Sequence, residues 1–336
     1  MAIDLESRIY GCLLGGLIGD AMGAPVEGKT FEQIEREYGP DGVLDFEGEG
    51  TDDTAIRNQL ISAILAGNGV VDCDTFAATF LQSWTENYSK WWVPVRNMAH
   101  KIRNGAALPV DAGYGNTASS SSAMAISPLG MLNAANPRQA ALETFDVAGL
   151  IHSGPTGFCR DAACAMAAAV AGSFSPGATV SSVLQDATRH LHSTSAAEML
   201  SSISNVLALA EAHPDYKSFR SEFYGSFLRD DICDSRETVP VALAIFAMSN
   251  GVPKRAIRYG ANFGRDADTI ATMVGGLCGS FCGHEALPEE WVRKVEANRS
   301  VKLRDVSCRF AEVVRSRARS SVELAWRVLD GEPGND

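Results

Sequence analysis

Basic residues are comparatively few, and no part of the chain gathers them into a stripe. The 336 residues include 29 lysines and arginines against 41 aspartates and glutamates, which gives a net charge of −12. The densest basic stretch, Arg309 to Ser320, has helical spacing and is typical of a solvated helix face. Because nucleic-acid-binding proteins usually present a basic stripe, we expect no nucleic-acid partner. A phosphate-bearing ligand is still allowed, because bound metals reverse the sign of the local field.

Cysteine motifs, a leader segment and a long hydrophobic run are also missing. The eight cysteines form no CxxC pair and no regular framework, which argues against a zinc site and against a disulfide scaffold. The N-terminus begins with acidic residues and has no basic segment, unlike a secretory signal. The apolar stretch Ile9 to Ile18 ends at Asp20 and is far shorter than the ~20 residues of a membrane span. We therefore expect a cytoplasmic protein with no membrane partner.

Strand patterns are scarce, and the best of them is Gly42 to Phe46. Helical periodicity dominates instead. Apolar residues recur at three- and four-residue spacings in Ser7 to Met22, Thr54 to Leu65, Thr75 to Trp84, Ser122 to Leu132, Ala140 to Ile151, Ala162 to Ala171, Ala196 to Ala212, Val239 to Met248, Asp268 to Phe281 and Val301 to Val328. No composition shift or long linker divides the chain. The sequence predicts one all-α domain over residues 1–336, with about a dozen helices.

The first predicted helix carries a glycine at every fourth position. Glycine inside a helix costs roughly 0.5–1 kcal/mol relative to alanine, so a close approach of another helix must compensate. Arg8 and Asp20 lie in the same segment and argue against a membrane helix. The pattern therefore predicts tight helix packing along the face formed by Gly11, Gly15, Gly19 and Gly23.

An acidic motif, Thr51-Asp52-Asp53-Thr54, precedes the second apolar helical run. One interpretation is a helix cap, since Thr and Asp accept hydrogen bonds from the free amides of a helix start and suit its positive end. A single cap needs one such residue, however, and this motif supplies four oxygen-bearing side chains in a row. The other interpretation is half of a site for a hard cation.

A second motif, Asp266-Ala267-Asp268-Thr269, precedes another apolar helical run near the end of the chain. Mg²⁺, Mn²⁺ and Ca²⁺ prefer carboxylate, hydroxyl and carbonyl oxygens. Neither motif has the alternating acids, central glycine and final glutamate of an EF-hand loop. Two acidic helix starts that face each other could supply a site for two metal ions. Together the motifs favour metal binding over simple capping.

Three segments in this order, "GCLLGGLIGDAMGAPVEG", "TDDT" and "GRDADTIATMVGGLCGSFCG", resemble the ADP-ribosylglycohydrolase family. The resemblance runs from about Arg8 to about Gly283. It implies a single compact domain of orthogonally packed helices and a binuclear Mg²⁺ or Mn²⁺ centre. The implied reaction is hydrolysis at C1″ of a ribose that is N- or O-linked to an acceptor.

The resemblance also implies roles for particular residues. The implied metal ligands are Thr51, Asp52, Asp53, Asp266, Asp268 and Thr269. Glu27, in a Gly/Pro-rich loop, matches the family's mobile-loop glutamate, although such a residue is otherwise simply an exposed acid. Assisted attack by water needs a carboxylate as general base or acid. Glu27, Asp52 and Asp53 are the candidates, and the sequence does not choose among them.

The segment "NTASSSSAMAISP" departs from the family pattern. Many members carry a G-N-G-A-A-M-R-like loop that contacts the diphosphate; here Ser119 to Ser122 replace the glycine–asparagine run and Ala125 replaces the arginine. Ser119, Ser120 and Ser121 could hold phosphate, a sugar or a base.

Two further residues resemble substrate contacts of the family. His152 matches a ligand-proximal histidine, although a lone histidine after an apolar run is more often structural. Arg265 stands where a second glycine is common. It could bind an anionic substrate or neutralise the neighbouring aspartates.

The resemblance leads to three hypotheses. The first is a metal-dependent hydrolase of an ADP-ribosylated protein side chain or an ADP-ribose conjugate. The second is a hydrolase of a smaller N-riboside, which uses the same metals without a diphosphate pocket. The third is a non-catalytic relative, which the intact set of implied ligands argues against. The sequence does not indicate the acceptor or the oligomeric state.

Overall fold

The computed structural model describes residues 4–298 and 302–330. In these residues the chain forms eighteen α-helices, four single-turn 3₁₀ helices and no β-strand, which confirms the all-α fold class. The α-helices are α1 (Leu5–Gly23), α2 (Phe31–Tyr38), α3 (Asp52–Ala66), α4 (Cys73–Gln82), α5 (Trp84–Asn87), α6 (Val93–Arg103), α7 (Pro109–Ala112), α8 (Ser127–Leu132), α9 (Pro137–Val147), α10 (Gly157–Ser173), α11 (Val180–Arg189), α12 (Ala197–Ala212), α13 (Tyr216–Ser226), α14 (Ser235–Met248), α15 (Pro253–Ala261), α16 (Ala267–Cys282), α17 (Glu289–Ala297) and α18 (Leu303–Asp330). The 3₁₀ helices are Ala24–Val26, Ala148–Leu150, Gly154–Thr156 and His284–Ala286.

The count of about a dozen helices was too low, because periodicity does not reveal short helices whose start is fixed by side chains. Helix α2 begins with a capping box, in which Thr30 accepts from the amide of Gln33 and the Gln33 side chain accepts from the amide of Thr30. Helix α11 begins with the same arrangement between Thr179 and Ser182. Only the second half of the predicted helix Ser122 to Leu132 is helical. The predicted start at Val301 lies outside the described residues.

Helices α1 and α16 form the centre of the fold and pack with their backbones in contact. A Cβ atom on Gly15 would lie 2.1 Å from the carbonyl oxygen of Gly275, and one on Gly19 would lie 2.1 Å from that of Ala271. Alanine cannot be accommodated at such distances without separating the helices. The glycine stripe therefore has the packing role that its spacing predicted.

The apolar part of this first helix is longer than the sequence estimate of Ile9 to Ile18. Residues Leu5–Val26 are long and apolar enough to cross a membrane, with a mean hydropathy of 1.3. However, 89% of the most apolar 18 residues of that segment are buried inside the fold. Burial against α16, rather than insufficient length, is what marks α1 as a core helix.

The best strand pattern in the sequence, Gly42 to Phe46, forms no strand in the structure, in agreement with the all-α prediction. The segment has no regular secondary structure, and Val43 and Phe46 are buried. Its hydrogen-bonding partner is the side-chain amide of Asn262, at the end of α15. The amide of Val43 donates to Asn262 Oδ1 (2.7 Å), and Asn262 Nδ2 donates to the Val43 carbonyl (2.9 Å). One side chain thus takes the place of a neighbouring strand.

Candidate active site

An acid-lined cavity of about 190 Å³ lies where α3 and α16 begin. The two acidic motifs are far apart in the chain, and α1 brings them together because it packs against both helices. The cavity is lined by Glu27, Asp52, Asp53, Lys90, Trp92, Ser120, Ser121, Met124, Cys233, Asp266, Asp268 and Thr269. We refer to it as the acid pocket.

The start of α3 shows that the first motif serves both as a cap and as part of the pocket. Thr51 is the N-cap residue, and its hydroxyl accepts from the amide of Asp53 (3.4 Å). Asp20, on α1, accepts from the amides of Thr51 (2.9 Å) and Thr54 (3.0 Å) and from the Thr54 hydroxyl (2.5 Å). Since Thr51 and Asp20 satisfy the helix start, the carboxylates of Asp52 and Asp53 are left for another purpose.

Asp20 was missed as a site residue from the sequence. It is fully buried beside the start of α3, and its charge adds to burial, the main cause, in raising the pKa of Asp52 and Asp53. A carboxylate within an apolar, glycine-rich helix is a signal that could have identified it, because charged residues are almost never fully buried without partners.

The two motifs are joined by their threonines. The Thr269 hydroxyl lies 3.3 Å from Asp53 Oδ2, and the Thr51 hydroxyl lies 3.4 Å from Asp268 Oδ2. Carboxylate oxygens of Glu27, Asp266 and Asp268 lie within 4.8 Å of one another. The structure therefore brings together all six residues implied as metal ligands, with Glu27 beside them.

The electrostatics of the pocket are those of crowded, buried acids. Burial raises the pKa of both Asp52 and Asp266 to about 7. Burial, followed by repulsion from neighbouring carboxylates, raises the pKa of Asp53 and Asp268 well above the usual range. The pKa of Glu27, which is exposed on one side, is also raised, first by partial desolvation of its carboxylate beside the cavity and then by the charge of Asp20.

This set of donors fits hard divalent cations. Asp53 Oδ1 is buried and has no hydrogen-bond partner among the described residues. Such an oxygen is costly to bury unless another partner compensates it. Carboxylate and hydroxyl oxygens are the donors that Mg²⁺ and Mn²⁺ prefer.

The serine-rich segment forms a tight turn, in which Ser120, Ser121 and Met124 line the pocket. The Ser120 hydroxyl donates to Asp266 Oδ2 (2.8 Å). Ser119 and Ser122 face the other way, toward His152, at 3.2 Å from Nε2 and 2.5 Å from Nδ1 respectively. Of the three serines expected to bind substrate, the structure thus brings two to the cavity.

His152 does not line the acid pocket. It is fully buried, and besides the two serines its Nε2 contacts the carbonyl of Thr117 (3.1 Å). Burial lowers its pKa to about 4, so the ring is neutral at physiological pH. It supports the serine turn from behind and does not contact the cavity itself.

Arg265, for which the sequence offered an anionic substrate or the neighbouring aspartates as partners, does not line the cavity. Its guanidinium pairs with the buried carboxylate of Glu237, with Nε 2.8 Å from Oε1. Its charge is therefore used within the protein, and it neither neutralises Asp266 nor lines the pocket. The physical reason is that Glu237 is fully buried and needs a counter-charge.

An all-helical fold in which two acidic helix starts meet in a pocket under a glutamate loop defines a class of glycoside-cleaving hydrolase. The chain belongs to the ADP-ribosylglycohydrolase family, whose model matches residues 1–321. This match is longer than the range from Arg8 to Gly283 that the motifs indicated. The protein is accordingly an enzyme, and the family resemblance seen in the sequence is confirmed.

Several curated relatives cover most of the chain. The chain is 27% identical over 305 residues to the uncharacterized protein YegU of Escherichia coli, covering 83% of this chain and 89% of that protein. It is 24% identical over 332 residues to ADP-ribosylhydrolase ARH3 of Bos taurus, covering 86% and 89%. It is also 24% identical over 305 residues to ADP-ribosyl-[dinitrogen reductase] glycohydrolase of Rhodospirillum rubrum, covering 87% and 92%.

A solved structure shares the fold. It is described as an ADP-ribosylglycohydrolase-related protein complex and superposes with a TM-score of 0.67 at 21% sequence identity. The match covers 93% of this chain and 98% of that one. At this identity the likeness concerns the fold alone.

Proposed function

We propose that the protein is a metal-dependent hydrolase that cleaves the C1″ glycosidic bond of an ADP-ribosylated protein side chain or of an ADP-ribose conjugate. The observation that carries this proposal is the convergence of five carboxylates, three of them buried, on one pocket. The names of the relatives ARH3 and ADP-ribosyl-[dinitrogen reductase] glycohydrolase support the substrate class.

Two Mg²⁺ or Mn²⁺ ions would be held by Thr51, Asp52, Asp53, Asp266, Asp268 and Thr269. When bound, such ions orient sugar hydroxyls and lower the pKa of a bound water. The unpartnered oxygen of Asp53 and the crowding of like charges both support this assignment.

Among the carboxylates, Glu27 is best placed for proton transfer. It is the one exposed acid of the five that line the pocket, whereas Asp53, Asp266 and Asp268 are buried. It lies on the loop that follows α1, so it can contact both the substrate and solvent. We assign general acid–base work to Glu27 rather than to Asp52 or Asp53, which are held at the start of α3.

A specific observation favours a second candidate, a hydrolase of a smaller riboside. The acid pocket, at about 190 Å³, is smaller than the roughly 300–1,000 Å³ of typical sites for larger ligands. Lys90 is the single cation among the described residues that line it.

A neighbouring groove offers space for the rest of a larger substrate. This polar groove of about 440 Å³ lies between α3 and α4–α5 and shares Lys90 with the acid pocket, and its lining residue Thr51 directly precedes the pocket residue Asp52. Because the two spaces adjoin, a ribose can occupy the pocket while a larger group extends from it. The groove therefore supports the ADP-ribosyl substrate over the smaller riboside.

The deciding experiment is a panel assay on Mn²⁺-loaded protein with ADP-ribosyl-arginine, ADP-ribosyl-serine, O-acetyl-ADP-ribose and simple nucleosides. We expect turnover of at least one ADP-ribosyl compound and none of the nucleosides. Calorimetry with ADP-ribose, AMP and ribose complements it, since charge-assisted bonds to phosphate are stronger than neutral ones.

A double variant links the assay to the serine turn. Ser120→Ala with Ser121→Ala removes the two hydroxyls that face the pocket and should weaken ADP-ribose binding. Turnover of nucleosides alone, or equal affinity for ADP-ribose and ribose, would select the smaller riboside instead.

A further inference from the structure

The backbone of Arg265 lies in a conformation that favours glycine. Its φ angle is +61°, in the left-handed region that residues with a side chain seldom adopt. There its amide donates to the carbonyl of Lys29 (2.7 Å), and its carbonyl accepts from the amide of Gly28 (2.8 Å). Both partners directly follow Glu27 in the chain. Arg265 is therefore joined through its backbone to the loop that carries Glu27.

The side chain of Arg265 is joined to a different wall of the pocket. Its Nη2 donates to the carbonyls of Arg229 and Asp231, in the segment between α13 and α14. The same guanidinium pairs with Glu237, which also accepts from the amide of Arg229 (2.8 Å). This segment leads to Cys233, a lining residue of the acid pocket.

The residue after Arg265 in the chain is Asp266, a third part of the pocket. We infer that Arg265 is a positioning residue that holds the Glu27 loop, the segment before α14 and Asp266 in one fixed arrangement. The inference rests on the proposed function for its effect on catalysis. Its structural content stands on the hydrogen bonds alone.

The ion pair with Glu237 fixes the position of the Arg265 guanidinium and balances its charge. Glu237 is fully buried, so it fixes the guanidinium in place and cancels its charge. An uncancelled cation beside Asp266 would compete with a metal ion for the carboxylates. The pair therefore allows an arginine to connect three walls without occupying the site.

Two variants distinguish the loss of the hydrogen bonds of Arg265 from a general loss of stability. Arg265→Lys keeps a charge for Glu237, but one ammonium cannot also reach the two carbonyls with the fixed fork of a guanidinium. The double variant Arg265→Gly/Glu237→Gln removes the guanidinium, relieves the left-handed backbone and leaves no unpaired buried carboxylate.

A matched control lies far from the pocket. Arg317 likewise joins a carboxylate, that of Glu143, to a backbone carbonyl, that of Gly69 (2.8 Å). None of these residues lines the acid pocket. The double variant Arg317→Gln/Glu143→Gln loses the same type of connection elsewhere.

The experiment measures hydrogen exchange in residues 24–31 and 227–234, the thermal shift with Mn²⁺, and kcat and KM on the best substrate of the panel. In the Gly/Gln variant we expect exchange to rise about tenfold in residues 227–234, which lose the guanidinium, and by less in residues 24–31, which keep their backbone bonds to residue 265; both rises should be smaller in Arg265→Lys. A small misplacement of reacting groups can cost about 100-fold in rate, so kcat should fall by roughly tenfold or more. The Mn²⁺ shift should persist in both variants, since no ligand is removed.

Unchanged exchange in both segments would overturn the inference, as would a kcat equal to that of the Arg317 control despite faster exchange. Should the Gly/Gln variant fail to fold, the lysine variant decides by the same measurements. A wild-type protein that turns over no substrate would contradict the proposed function only, because the exchange comparison remains valid without activity.

Discussion

Replacing Asp53 with asparagine should have opposite effects on stability with and without a metal ion. Asp53 is buried at the start of α3, and one of its oxygens has no hydrogen-bond partner among the described residues. Its strongest charged neighbour is Asp268, followed by Asp20. Asparagine has nearly the same shape but no charge. The substitution therefore removes repulsion in the metal-free protein and removes a ligand in the loaded one.

The structure sets the scale of both effects. The Thr51 hydroxyl lies 3.5 Å from Asp53 Oδ2 and 3.4 Å from Asp268 Oδ2, so these oxygens are no more than about 7 Å apart, where two unit charges repel by roughly 2–3 kcal/mol for an effective dielectric constant of about 20. Metal-free Asp53→Asn should therefore be as stable as the wild type or more stable, by up to about 3 kcal/mol. At 100 times Kd, each of two bound ions stabilises the native state by about 2.7 kcal/mol. Two ions together contribute about 5.4 kcal/mol, which corresponds to a rise in Tm of about 8 °C for a chain of 336 residues.

The assay is thermal unfolding at pH 7.5, first with a chelator and then with a saturating concentration of MnCl₂, together with metal analysis of the protein. The wild type should shift by about 8 °C, and Asp53→Asn by less than about 3 °C. Asp45→Asn is the control, because Asp45 is an exposed carboxylate paired with Lys294 (2.8 Å). A metal-free Asp53→Asn protein that melts well below the wild type would refute the reasoning. So would a wild type that neither contains nor responds to a divalent ion.

Three further substitutions test other parts of the site. Glu27→Gln should fold and keep the Mn²⁺ thermal shift but lose about 10²–10⁴-fold in kcat; wild-type turnover would remove Glu27 from the mechanism. Burial lowers the pKa of His152 to about 4 in the folded state, whereas the unfolded chain has an ordinary histidine pKa of about 6.5. Because the unfolded state therefore binds a proton at a higher pH, the free energy of unfolding should fall by about 3 kcal/mol as the pH drops from about 6.5 to 4. His152→Gln should flatten that slope in denaturant titrations. Gly15→Ala places a Cβ 2.1 Å from a backbone carbonyl of α16 and should cost about 3 kcal/mol or more, whereas Gly157→Ala meets nothing within 4 Å and should cost little in the same unfolding assay.

The parts of the site that the sequence predicted are the local ones. Each acidic motif consists of adjacent residues at a helix start, so its chemistry can be recognised from composition and position alone. That the two motifs meet followed from the family resemblance and could not follow from local pattern. The role of Asp20 depends on how α1 packs against α3. The residues next to a side chain in the sequence do not determine its partners across such a helix contact.

The direction of a side chain was harder to predict than its position. Arg265 lies next to Asp266, and the sequence suggested that its charge serves the pocket. In the structure its charge is used by Glu237, which lies 28 residues earlier in the chain. His152 and two of the four serines are similarly diverted into contacts with one another. Some polar residues near a site contact the cavity, and others support the residues that do. The role of each residue follows from the fold and not from its position in the sequence.

The glycine stripe on α1 belongs to the site as well as to the core. A Cβ on Gly23 would lie 2.4 Å from the backbone of Asp268, and one on Gly16, which is next to the stripe residue Gly15, would lie 2.8 Å from a guanidinium nitrogen of Arg57. Arg57 is a buried cation whose charge acts on Asp20 and Asp53 from behind the pocket. Because α1 has no side chain at these positions, Asp268 and Arg57 can both approach its axis. The spacing that indicates close helix packing is thus also what allows two acidic helix starts and a buried counter-charge to share so small a space.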